Sequence, residues 1–143
     1  MYLLDTNVPS ELRRSRNPQV ARWVARLNPS ETYLSAITIL EIELGVLSVE
    51  RRDAAQARVL RGWLEGQLLP AFSGRILPVD TAVARRCAAL HVPDPRSAHD
   101  ALIAATALVH GLKLVTRNVA DFRGMDLVLI NPWDDASQSA PPI

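Results

Sequence analysis

Four carboxylates stand out because of where the chain puts them. Asp5 ends the apolar run Tyr2–Leu4 abruptly, which places its side chain at the carboxyl edge of a short strand. Glu41 lies within the apolar stretch ITILEIELG, with Ile37 four residues before it and Leu44 three after. At helical spacing it falls on or beside the apolar stripe, while Glu43 falls on the opposite side. Asp100 opens a run from Ala101 to Val109 that is almost wholly apolar and must be buried, so its first turn starts at an edge of the core. Asp121 follows the strand-like KLVT (113–116) by five residues, behind the polar turn Arg117–Asn118. Four acids gathered on one edge would repel one another and raise one or more pKa values unless a cation neutralised them. An all-oxygen ligand set selects a hard ion, Mg²⁺ or Mn²⁺ rather than zinc, and such an ion activates water and neutralises a phosphate.

Each acid also has a structural alternative. Asp5 could cap the following helix, although Thr6 and Asn7 can do that instead. Glu41 could sit at a solvated rim; a carboxylate facing the core unpaired would cost several kcal/mol or be forced to take up a proton. Ser97-x-x-Asp100 has the form of a capping box, and Asp121 could be a solvated loop acid. Asp80 also ends a strand, and N-capping the helix at Thr81 is its simpler role.

The elements that must position these residues alternate strand and helix. Tyr2–Leu4 is a strand, and Thr6, Asn7 and Pro9 then supply a cap and an early-turn proline for a helix through about Arg14. Pro18 restarts a helix carrying Val20, Trp23, Val24 and Leu27. A strand over 33–36 precedes a helix over 37–47 with Ile37, Leu40, Leu44 and Leu47 on one stripe, and a second long helix over 52–69 completes a hairpin. A strand over 76–79, a helix over 81–90, a helix capped by Ser97 and ended by Gly111, a strand over 113–116, a short helix near 119–122 and a strand over 127–130 follow. The alternation predicts an α/β three-layer sandwich: a mostly parallel sheet of about five strands with helices on both faces. In such sheets ligands bind outside the carboxyl ends of the strands. One domain over 1–133 is expected, with 134–143 a mobile tail.

Composition narrows the chemistry. The 143 residues, 48% hydrophobic and 22% charged, make a chain that folds, and no stretch is long and apolar enough for a membrane span. Asp5 stands where a signal peptide needs an apolar core, so a cytoplasmic location is expected. The single cysteine, Cys87, excludes a disulfide framework and a thiolate zinc site. His91, His99 and His110 are scattered and read as structural. There is no phosphate-cradling glycine loop and no GxSxG elbow. Between Leu12 and Leu27 lie Arg13, Arg14, Arg16, Arg22 and Arg26 with no acid, a candidate surface for a polyanion. A receiver or haloacid-phosphatase domain does not fit, because Thr6 and Asn7 follow Asp5 where those folds need further acids.

The pieces YLLDTN, ITILEIELG, HDALIAATALVHGLKLVTRNVADF and INPW, in this order and spacing, resemble the PIN-domain nucleases, and within them the VapC-type toxins of bacterial toxin–antitoxin pairs, including the FitB-like branch. The resemblance extends to Trp133. It implies that Asp5, Glu41, Asp100 and Asp121 are the catalytic, metal-holding quartet, and that Thr6, Asn7, Thr116 and Asn118 position substrate or the acids. It implies an endoribonuclease dependent on Mg²⁺ or Mn²⁺ that cleaves structured RNA such as transfer RNA by attack of a metal-activated water on phosphorus. With the four acids engaged by metal, sixteen basic residues face eleven acidic ones, a surplus suited to an RNA backbone. The resemblance also implies a homodimer and a small cognate antitoxin of VapB-like kind, whose amino-terminal region binds DNA, so that this chain meets DNA only indirectly. The antitoxin tail would lie in an apolar groove between the first helices and the hairpin, with Trp23 and Trp63 as possible walls, although core packing is the stronger reading for each. The rival expectation is a catalytically silent PIN-like module that acts in a DNA-bound complex with such a partner.

Overall fold

A computed structural model describes residues 1–134; the expected tail lies outside the described residues apart from Asp134. The centre of the fold is β1 (Tyr2–Leu4), buried along its whole length. Its alternation decides the layering: Tyr2 and Leu4 point into one hydrophobic cluster and Leu3 into another on the opposite face. Strand β1 is flanked by β2 (Thr32–Ser35) on one side and β4 (Lys113–Val115) on the other; β3 (Ile76–Leu77) and β5 (Leu129–Ile130) form the edges. The order β3-β2-β1-β4-β5 is parallel throughout, with Tyr2 opposite Thr32 and Leu3 opposite Leu114. The chain leaves β1 toward β2 and returns on its other side as β4, so the topological switch point lies between the carboxyl ends of β1 and β4. A crevice forms there by construction.

On one face pack α1 (Asn7–Arg14), α2 (Pro18–Ala25), α4 (Ala54–Trp63) and the short α5 (Leu69–Ala71), around Val8, Trp23, Leu64 and Leu68. Helices α6 (Thr81–Leu90) and α7 (Ala98–His110) cover the other face. The small residues Ala101, Ala104, Ala105 and Ala107 bury α7 completely along that side and allow α6 to approach it. Helix α3 (Ala36–Glu50) reaches both clusters, through Ile37 on one side and through Ile42 and Val46 on the other. Gly111 ends α7 at φ 65°, a left-handed conformation that costs glycine little, as expected.

The structure differs from the sequence reading in four places. The stripe of α3 that faces inward is Ile37, Thr38, Ile42 and Val46; Leu40, Leu44 and Leu47 are exposed. The helix is apolar on more than one face, so spacing alone could not say which face the sheet takes. The second hairpin helix is not continuous: α4 passes into a π-helical turn (Leu64–Leu68) before α5. Pro70, lacking an N–H, sits in the first turn of α5, where none is needed. Thr6 occupies the N-cap position of α1 without a side-chain capping bond, because its hydroxyl is used elsewhere. Ser97 likewise stands at the N-cap of α7 without capping it. Asp80 does cap α6, accepting from the Val83 N–H at 2.9 Å.

Candidate active site

Asp5 leaves the end of β1 with its backbone N–H still bonded to Val115 of β4, which fixes its carboxylate at the switch point. The side chain is only 5% exposed. One oxygen accepts the Thr6 N–H at 2.8 Å; the other accepts the Thr116 hydroxyl at 2.7 Å and, more loosely, the Asn7 amide at 3.4 Å. Thr116, directly after β4, is buried and in turn accepts the Asn118 N–H at 3.0 Å. The Asn7 side-chain Oδ1 accepts from the Arg117 backbone N–H at 3.3 Å. Asn7, Thr116 and Asn118 therefore tie the two strand ends together around Asp5, Asn118 through its backbone.

Glu41 projects from the second turn of α3 and is half-buried, which supports the rim reading over burial in the core. Its Oε1 accepts the Thr6 hydroxyl at 2.6 Å, and Thr6 Oγ1 lies 3.1 Å from Thr38 Oγ1. On the other side Glu41 Oε2 lies 3.5 Å from His99 Nδ1. His99 thus belongs to the site and not to the scattered structural histidines. The signal that could have shown it is its position beside Asp100 in the first turn of α7, where a side chain can reach back toward α3. Asp100 is half-buried in that same turn, and Asp121, in the 3₁₀ turn Val119–Phe122, is exposed.

Burial and mutual repulsion act together on two of these acids. Burial pushes the Asp5 carboxyl up to about 6; the hydrogen bonds from Thr116 and Thr6 pull the other way, and the charges of Glu41 and Asp100 push it further up. Asp100 is raised too, by burial first and then by Asp121 and Glu41, against the Ser97 hydroxyl and His99. The charges of Glu41 and Asp100 thus reach Asp5, and those of Asp121 and Glu41 reach Asp100. The cluster fits a hard divalent cation in kind: its donors are carboxylate oxygens, and their mutual repulsion is what such an ion relieves. The side chains are not closed on a common point, however; among the described residues no three His, Cys, Asp or Glu groups are gathered tightly enough to hold an ion as they stand.

Beside this centre runs a groove. A cavity of about 570 Å³ lies between α1 and the hairpin, lined by Pro9, Leu12, Arg13, Trp63, Leu68 and Phe72, and a smaller one of about 200 Å³ reaches Thr6 and Glu41 past Arg14 and Gly45. Arg13 lies over the Trp63 ring at 5.7 Å, so part of the expected basic surface lines the groove. Trp63 is a groove wall. Trp23 is not: it is 2% exposed and packs edge-on against Tyr2, with ring centroids 5.7 Å apart.

A parallel sheet with this strand order and an acidic crevice at its switch point define the PIN-like class of α/β domain. The PIN domain family matches residues 2–126, and the chain belongs to it, grouping with the FitB and VapC proteins. It is similar to the toxin FitB of Neisseria gonorrhoeae, 42% identical over 94% of this chain and the whole of that one. It is also similar to the VapC ribonuclease Y4jK of Sinorhizobium fredii, 38% identical over 95% of this chain and all of that protein. Among solved structures, FitAcB from Neisseria gonorrhoeae superposes with a TM-score of 0.84 at 41% identity, covering 93% of this chain and 99% of that one. FitAB bound to an IR36 DNA fragment also superposes at 0.84, with 39% identity over 94% of this chain and 96% of that one.

Proposed function

We propose that this chain is a divalent-metal-dependent endoribonuclease that acts as the toxin of a toxin–antitoxin pair and cuts structured RNA such as transfer RNA. The observation that carries this reading is the repulsion that Glu41 and Asp100 exert on Asp5, and Asp121 and Glu41 on Asp100, at the sheet's switch point, in a chain whose relatives include a named ribonuclease. Asp5, Asp100 and Asp121 would hold Mg²⁺ or Mn²⁺, with Glu41 completing the set directly or through water. When bound, such an ion supplies Lewis-acid activation of water and neutralises charge on the phosphate. The protein's own part is positioning. The Thr6 backbone N–H and the Thr116 hydroxyl aim Asp5, and the Thr6 hydroxyl orients Glu41, so one residue sets the angle between two acids. Asp121, whose side chain makes no hydrogen bond among the described residues, is free to swing toward the others.

The groove beside Glu41 would take the tail of a small antitoxin, with a basic side chain reaching the acids and silencing them. That partner would carry the DNA-binding function, as the complex of FitAB with DNA suggests. The exposed leucines of α3, Leu40, Leu44 and Leu47, would be covered by a second copy of the chain in a homodimer. A second reading, a catalytically silent module working only in such a complex, is favoured by the open spacing of the four acids.

Inducible expression in a bacterial host separates the toxin reading from its rival. Wild type should arrest growth, Asp100→Asn should not, and co-expression of a small DNA-binding protein encoded beside this chain should restore growth. Arrest that persists in Asp100→Asn would contradict a nuclease toxin.

A further inference from the structure

On the α6/α7 face, away from the groove, a cavity of about 260 Å³ opens behind the loop that joins those two helices. Its lining includes Arg86, Val92, Pro93, Arg96, Gly124 and Asp126. Arg96 stands four residues before Asp100, and Gly124 three after Asp121, so the cavity abuts two of the four segments that carry the acids. The Arg96 guanidinium is held in place: Nη1 donates to the Arg123 carbonyl at 3.0 Å, and its backbone N–H is accepted by His91 Nδ1, also at 3.0 Å. Gly124 adopts φ +80°, and a Cβ there would stand 3.2 Å from Arg96 Nη2, so this glycine both permits the turn and leaves room for the guanidinium. One donor of five is spent on that carbonyl. Neither Arg86 nor Arg96 pairs with an acid among the described residues, and Asp126, the one acid in the lining, leaves the cavity with a net positive charge.

Two arginine forks with unused N–H groups and a single opposing carboxylate suit a phosphodiester, which accepts through two oxygens and carries one charge. A strand bound at Asp100 and Asp121 would run on over the segments that also line this cavity. We infer that the cavity is a phosphate subsite for RNA, holding a backbone phosphate that flanks the bond to be cut; this rests on the nuclease reading above. The arginines of α1 belong to the other face, where Arg13 stacks on Trp63 in the groove.

The test is equilibrium binding of a fluorescent transfer RNA by anisotropy, in EDTA so that nothing is cut, across a range of salt. Arg86→Glu is the main variant, because its exposed side chain makes no hydrogen bond or ion pair among the described residues; Arg96→Gln is the second, with circular dichroism to confirm folding. Expected is a five- to ten-fold loss of affinity for each, with the log–log salt slope reduced by about one. Unchanged affinity and slope in Arg86→Glu would overturn the proposal, as would losses confined to Arg13→Glu and Arg14→Glu. Adenosine monophosphate binding that needs Arg86, with RNA binding that does not, would show a free-nucleotide site and overturn it equally. If wild type binds RNA through Arg86 yet never cuts it with Mn²⁺, the nuclease reading falls, and with it the placement beside a scissile bond, while the phosphate contact itself stands. Cleavage by a protein whose RNA binding ignores Arg86 gives the reverse.

Discussion

The Thr116 hydroxyl donates to Asp5 Oδ2 at 2.7 Å across 111 residues of sequence, joining the ends of the two central strands. The bond is buried and charge-assisted, and it opposes the burial that drives Asp5 toward protonation. Thr116→Val keeps the shape and removes the donor. Expected is an upward shift in the acid limb of the pH–rate profile, with cleavage down about ten-fold near pH 6 and less at pH 8. Thr116→Ser should restore the profile. An equal loss at every pH would mean that the residue serves packing alone.

Asp5 also makes a stability statement. Its folded pKa of about 6 lies above its ordinary value of 3.8, so between those limits the folded state binds more protons than the unfolded one. Stability from this group is complete below about pH 4 and is lost as pH rises toward 6. In the metal-free protein Asp5→Asn should therefore be more stable than wild type at pH 7.5, by a few kcal/mol at most, since each pKa unit is worth about 1.4 kcal/mol. The gain should vanish near pH 4. Thermal melts in EDTA at both pH values check this, and saturating Mn²⁺ should reverse the ranking at pH 7.5 by stabilising only the wild type.

Leu40, Leu44 and Leu47 line an exposed apolar face of α3. Replacing Leu44 and Leu47 together with Lys should turn a dimer into a monomer in sedimentation analysis. Because neither side chain is buried in the chain itself, the fold should hold, with monomer melting within about 0.5 kcal/mol of wild type. A wild type that is already monomeric at micromolar concentration would contradict the dimer.

How much of this was legible in the sequence depended on whether a residue's role was set locally. Asp5 and Asp100 were readable because each marks an abrupt boundary between a polar turn and an apolar run, Asp5 after one and Asp100 before one, and the parallel sheet followed from strands alternating with helices. Gly111 and Asp80 were readable because caps are local. The inward face of α3 was not, since Ile and Leu recur on several of its sides and only the sheet chooses among them. Thr6 stands at the N-cap position without capping, and only the family resemblance assigned it a positioning role, because nothing in its neighbourhood reveals Glu41, thirty-five residues on, competing for the same hydroxyl. His99 was missed for the same reason: its partner lies on another helix. The cavity at Arg86 and Arg96 depends on a turn at Gly124 that no spacing rule announces.

The most direct test of the central claim is cleavage of total RNA by the purified chain, freed of any partner, with Mg²⁺ or Mn²⁺ and with EDTA, beside Asp5→Asn. A discrete cut made by wild type, abolished by chelation and reduced at least about a hundred-fold by the substitution, is the expected result. Cleavage that survives both EDTA and Asp5→Asn, or no cleavage of any RNA by a protein that still binds Mn²⁺ at the four acids, would contradict it.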